Sequence, residues 1–283
     1  MKKSKKNSKK KFSRFDKIIQ DIKDVKIQGA TAIAKKGIKA YFLKNNKESV
    51  NRIISARPTE PLLQNSIEIL EKSKNKKTKS NKILNYIKKS QKIIAKKGSY
   101  LIKKNMNIFS HCHSTTVVEI LKYARLKRKK SFVVYTTEVE PLLQGRQTAT
   151  ELAKFQIKTI VVPDLAAEQY LKKCDLFLFG ADAFTKKGIV NKIGTSTLCK
   201  IAKEFHIPRY SCGISLKFTK KIKLEKRKSK EVWLERNKFI DVENPAFDFI
   251  KKDLLSGVIS EFGIQSYRQF TKSAKQNLKN FTS

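Results

Sequence analysis

Two short stretches carry residue types able to move protons on a small polar substrate. One is His111-Cys112-His113-Ser114-Thr115-Thr116 and the other is Gly180-Ala181-Asp182. Each follows an apolar run, Met106 to Phe109 and Leu176 to Phe179, that reads as a buried strand ending in a polar break. In an open parallel α/β sheet both breaks emerge at the carboxyl edge, where such folds hold ligands. A cysteine between a strand end and a helix start lies near the positive end of that helix, which favours the thiolate. A thiol and a carboxyl facing one pocket suit proton transfer. Taken singly, Cys112 equally suits a small buried side chain, and Asp182 a helix or turn cap. His111 and His113 flank the cysteine, but on an extended strand they point to the face opposite the thiol, so no metal is expected there. Cys112, Cys174, Cys199 and Cys212 form no CxxC pair, a usage that fits a reducing cytoplasm.

The elements that must position these residues begin after a lysine-rich tail, residues 1–11, which cannot bury anything and is expected to be disordered. Phe15, Ile18, Ile19 and Ile22 repeat at helical spacing, and Ile33, Ala34, Gly37, Ile38, Tyr41 and Phe42 mark a second helix. The join between them contains Gly29 and Ala30, where backbone N–H groups can approach an anion; a plain helix–helix turn reads equally well. Pro58 and Pro61 break the helical pattern after Arg57, a residue able to grip a phosphate, and Leu62, Leu63, Ile67 and Leu70 open the next helix. Glu71 to Lys82 reads as a solvated loop before a helix carrying Ile83, Leu84, Ile87 and Ile94. From about Ser99 strands and helices alternate, with strands predicted at Met106–Phe109, 131–135, 157–162, 174–179 and 209–212. The expectation is an α/β fold: a helical N-terminal domain over 12–97, then a Rossmann-like parallel sheet with helices on both faces over 98–283. Lys220 to Lys230 reads as an exposed basic loop. No GxGxxG or Walker loop is present.

The chain has 283 residues, of which 40% are hydrophobic, enough for a substantial core. No run approaches the ~18 apolar residues of a membrane span, and no apolar signal core follows the N-terminal lysines, so a cytoplasmic protein is expected. Lys and Arg number 64 against 24 Asp and Glu, for a net +40. The lysines spread along the whole chain among asparagines and isoleucines, without the interleaved aromatics that stack bases. Loose, non-specific polyanion association follows from that charge; specific nucleic-acid recognition does not.

Several segments, in order and over nearly the whole chain beyond the first lysines, resemble one superfamily: IQGATAIAKKG, SARPTEPLLQN, SHCHSTTVVEIL, EPLLQGRQTATELA, GADAFTKKGIVNKIGT, the LKF around Lys217, and NPAFDFI at Asn244 to Ile250. It contains ribose-1,5-bisphosphate isomerase, methylthioribose-1-phosphate isomerase and the alpha, beta and delta regulatory subunits of translation initiation factor 2B. The resemblance implies the same two-part fold. It places a catalytic cysteine and aspartate at Cys112 and Asp182, and phosphate and sugar contacts at Gly29, Ala30, Arg57, Ser114, Thr115, Gln144, Asn191, Lys192 and Lys217. Retention of both catalytic types implies an aldose–ketose isomerase. The HCHS form and the Lys217-Phe218 pair point to the branch converting ribose 1,5-bisphosphate to ribulose 1,5-bisphosphate in nucleotide salvage. No cofactor or metal is implied, and a homo-oligomer, dimer or hexamer, is. The alternatives are a non-catalytic regulatory subunit docking on initiation factor 2, or the methylthioribose isomerase. Two departures stand out: Gln28 replaces the arginine usual before the first glycine, removing a phosphate contact worth about 1.5–3 kcal/mol, and SARPTEPLL is closer to archaeal initiation-factor homologues.

Overall fold

The computed structural model describes residues 13–235 and 237–282; the tail expected to be disordered lies outside the described residues. Five helices come first: α1 (Arg14–Lys23), α2 (Ala30–Leu43), α3 (Lys47–Ser55), α4 (Pro61–Glu71) and α5 (Lys76–Ser99). Phe15, Ile18, Ile19 and Ile22 form the buried stripe of α1, as their spacing requires. The sequence reading gave no helix over α3, which buries only Ser49, Val50 and Ile53 and is started by the Asn46 side chain accepting from Ser49 N. The expected loop from Glu71 to Lys82 is mostly helix. Asn75 caps α5 by accepting from Thr78 N, and the lysines that follow face outward while Ser80, Ile83, Ile87 and Ile94 face the core. Lysine is a good helix former, so a lysine-rich stretch remains helical once one face finds a core.

The rest of the chain runs β1 (Met106–His111), α6 (Thr115–Leu126), β2 (Phe132–Thr137), α7 (Gln144–Ala153), β3 (Lys158–Val162), α8 (Ala167–Leu171), β4 (Leu176–Gly180), β5 (Ala183–Phe184), β6 (Gly188–Lys192), α9 (Thr195–Glu204), β7 (Arg209–Cys212), β8 (Phe247–Lys251), β9 (Gly257–Ser260), β10 (Gly263–Gln265) and α10 (Tyr267–Thr282). Seven strands form one sheet in the order β10-β9-β7-β4-β1-β2-β3. All its pairings are parallel except β10 on β9, so the expected sheet is present with one antiparallel edge. The short excursion after Asp182 folds into a separate antiparallel sheet, β5-β6-β8.

Alternation along the strands divides the core. Ile108, Leu176 and Leu178 join the helices α1 to α6 on one face, whereas Phe109, Phe177 and Phe179 join α8, α9 and α10 on the other. The chain leaves β1 toward β2 and β3, then returns to lay β4 against the other side of β1, with His111 opposite Phe179. That reversal of strand order opens a crevice at the carboxyl ends of β1 and β4. Among the described residues, no helix is long and apolar enough to cross a membrane.

Candidate active site

Cys112 leaves β1, and Asp182 follows β4, at this crevice. Cys112 has φ +66°, a left-handed backbone unusual for a non-glycine residue and costing of order 1–3 kcal/mol. Asp182 is held by its backbone N–H donating to Val190 O of β6 at 2.8 Å. Two adjoining clefts, of about 730 and 520 Å³ with their mouths, share Gly29, Cys112, His113 and Asp182 in their walls. The larger adds Arg57, Gln144 and Lys192; the smaller adds Ala30, Ser114, Thr115, Asn191 and Lys217. The two clefts thus bring together all eleven site residues predicted from sequence.

Each is positioned by an identifiable element. Gly29, at φ +80°, caps α2, leaving the N–H groups of its first turn without helical partners. Ser114 caps α6, its Oγ accepting from Val117 N at 3.4 Å. Gln144 opens α7 with its Oε1 buried and unpartnered. Asn191 Nδ2 donates to Thr195 Oγ1 at 3.0 Å. The carbonyls of Leu216 and Phe218 accept from Asn65 Nδ2 of α4, which anchors the segment that carries Lys217; the Lys217 ammonium donates to Ala181 O. Arg57 is 8% exposed, with Nε and Nη1 unpartnered and Nη2 3.5 Å from Glu225 Oε1.

Burial sets the protonation of the reacting groups. It raises the Asp182 carboxyl above the ordinary range, while the Lys217, Arg57 and Lys192 cations pull the other way. It also pushes the Cys112 thiol up to about 12, with the Asp182 charge adding to the effect. The thiolate expected from the helix terminus is therefore not the resting form, because burial and a neighbouring carboxylate outweigh the α6 dipole. The opposing influences are the Lys192 ammonium and the His113 backbone N–H.

The histidines part company. His111 turns away from the thiol as expected, with Nδ1 2.7 Å from Thr137 Oγ1 and Nε2 2.9 Å from Ile193 O. His113 does not follow the alternation: the strand has ended, Cys112 is left-handed, and the imidazole lines both clefts, reaching Thr148 Oγ1 at 3.1 Å. Among the described residues no three His, Cys, Asp or Glu side chains cluster as a metal site would need.

The segment read as an exposed basic loop, Lys220 to Lys230, is corrected in part. Thr59 Oγ1 donates to Lys223 O at 3.0 Å and accepts from Glu225 N at 3.1 Å, drawing the segment over the cleft. The Glu225 and Arg227 side chains are then only 12% and 14% exposed. Arg227 pairs with Glu231, and Asn244 Nδ2 donates to Glu231 Oε2 at 3.2 Å; these three line the larger cleft. Sequence reasoning missed them, and Glu60 as well. The available signals were two carboxylates inside a lysine run, and an acid set between two prolines.

With this geometry in hand, comparison with known proteins is decisive on family. The model of the initiation factor 2 subunit family matches residues 26–266. The chain belongs to that family. It is 33% identical over 275 residues to the ribose 1,5-bisphosphate isomerase of Methanocaldococcus jannaschii, covering 87% of this chain and 89% of that one. The crystal structure of the Pyrococcus horikoshii OT3 translation initiation factor eIF-2B superposes with a TM-score of 0.82 at 28% identity, covering 90% of this chain and 98% of that one. The tetrameric eIF2B-beta2-delta2 complex from C. thermophilum has the same fold, with a TM-score of 0.71 at 20% identity over 93% of each chain. Family membership thus spans isomerases and initiation-factor subunits.

Proposed function

We propose that this family member is an aldose–ketose isomerase converting ribose 1,5-bisphosphate to ribulose 1,5-bisphosphate. The observation that carries the reading is a thiol and a carboxyl leaving neighbouring parallel strands into two adjoining clefts that they share, one lined by Arg57 and Lys192 and the other by Lys217. The name of the M. jannaschii relative supports the choice of substrate. In this reading residues 12–97 form the helical wall and 98–283 the catalytic part, and the protein works in the cytoplasm as a homo-oligomer.

The phosphate on C1 blocks simple ring opening, so the ring oxygen must first be protonated. Asp182, whose carboxyl burial raises above the ordinary range, is the acid for that step and handles the oxygen protons afterwards. Having given up that proton, the Asp182 carboxylate takes the proton of the Cys112 thiol, Lys192 favours the resulting thiolate, and the proton leaving the C2 hydroxyl as the carbonyl forms restores the thiol. A thiolate of raised pKa is a strong base, suited to taking the weakly acidic hydrogen from C2 and returning it to C1. Arg57, Lys192, Lys217 and the first turn of α2 neutralise the phosphates, and Asn191, Gln144, Ser114 and Thr115 orient hydroxyls.

The test is turnover of ribose 1,5-bisphosphate by the purified protein, lost in Cys112→Ser and Asp182→Asn variants of unchanged circular dichroism. Binding of the sugar phosphate without turnover, together with co-purification of initiation factor 2, would replace this reading with that of a regulatory subunit.

A further inference from the structure

Glu60 lies in the wall of the larger cleft with Cys112 and Asp182, 2% exposed, with its Oε2 buried and unpartnered. It occupies the N-cap of α4 but its side chain makes no capping bond. Its backbone is pinned: Glu60 N donates to Arg57 O at 3.2 Å, Pro61 fixes the next residue, and Gln64 Nε2 donates to Pro58 O at 2.8 Å. Arg57 already has a carboxylate partner in Glu225, so Glu60 is not needed as its counter-ion.

We propose that Glu60 is a positioning residue that shares one proton with Asp182, so that the pair meets substrate as one carboxylic acid and one carboxylate. The inference rests on the isomerase reading for its purpose, and on the cleft for its geometry. The charged groups facing Glu60 are Asp182, Lys217, Arg57 and Glu225; those facing Asp182 also include Lys192 and the Cys112 thiol. Two carboxyls in one dry cleft do not both ionise without cost, and the second proton belongs to the pair rather than to either member. Burial first, and then the Asp182 charge, push Glu60 up to about 8, in keeping with a proton retained at neutral pH. That proton lies where ring opening requires an acid. Glu60 itself acts through Asp182.

The experiment is a carboxyl-¹³C NMR titration of the full chain, as wild type, Glu60→Gln and Asp182→Asn, beside pH profiles of kcat/KM. In Asp182→Asn the Glu60 resonance is expected to titrate at a pH lower by about 1 or more than in wild type, because the neighbouring charge is gone. The alkaline limb of kcat/KM moves down in Glu60→Gln, with KM little changed, and Glu60→Asp restores it. Should Glu60 titrate in Asp182→Asn as it does in wild type, the inference is overturned even if the wild type turns over. Coupled titration in a protein without turnover upholds the shared proton and overturns the isomerase reading instead. A Glu60→Gln chain that fails to fold leaves the Asp182→Asn arm to decide.

Discussion

A Cβ placed on Gly180 would lie 2.8 Å from Ser114 Oγ and 3.0 Å from Ser114 Cβ. The end of β4 and the cap of α6 are therefore fitted to each other without room for a methyl group. Ser114 both caps α6 and lines the smaller cleft. Gly180→Ala is expected to destabilise the fold by about 1–3 kcal/mol, the usual cost of overpacking. It should also raise KM for the sugar phosphate more than it lowers kcat, because the displaced hydroxyl binds rather than reacts. Thermal unfolding and steady-state kinetics read the two effects separately.

Gln28 lines the larger cleft, at the position where the family resemblance implies an arginine. Gln28→Arg adds a guanidinium beside Arg57 and is expected to tighten binding of ribose 1,5-bisphosphate by about tenfold or more, the worth of one charge-assisted hydrogen bond. Calorimetric titration at fixed ionic strength measures it.

Proton transfer through Cys112 leaves a trace in the product. Isomerisation in D₂O is expected to place deuterium on C1 of ribulose 1,5-bisphosphate, at less than one atom per molecule where the same proton returns before exchange. Cys112→Ser is expected to lower turnover by about 10²–10⁴-fold, the range of a lost general base. Product still free of deuterium after prolonged equilibration with the enzyme would assign a direct hydride shift from C2 to C1. Mass spectrometry of the product distinguishes the routes.

Glu60 also predicts a pH dependence of stability. Its carboxyl is raised from an ordinary 4.5 to about 8 in the folded chain. Between those values the native state keeps a proton that the unfolded chain has released, so this contribution to stability falls as pH rises through the window and is level above it. Glu60→Gln removes the slope. The melting temperature of the variant minus that of the wild type is expected to be larger at pH 8 than at pH 5; an equal difference at the two pH values would contradict the raised carboxyl.

What could be read from the sequence followed from how each residue is held. Cys112 and Asp182 were legible because each ends an apolar strand, and an apolar run between polar breaks marks a strand end directly. Lys192 and Lys217 entered only through family resemblance, and Arg57 gave only a weak signal before its prolines, since a lone cation carries little local signature. Glu225, Arg227 and Glu231 were hidden by composition: a lysine-rich stretch reads as solvated, and the bonds that fold it inward, from Thr59 to Lys223 and Glu225 and from Asn244 to Lys228, are made by residues distant in the chain. The same bias hid the first turns of α5. The β5-β6-β8 sheet was missed because two of its strands follow one another over few residues while the third, β8, arrives more than fifty residues later.

The thiol and the carboxyl descend from strands paired in register, His111 against Phe179, and are cemented into the rigid floor of the molecule. The facing wall is of other origin, made from a helix cap at Gly29, a proline-flanked corner at Arg57 and a lysine-rich strap tied down by the Thr59 hydroxyl and by Asn244. The cleft thus has a floor of paired strands and a facing wall of caps and loops, and the side chains proposed to react all stand on the floor, so a change of sequence in the facing wall can alter what fits without displacing them.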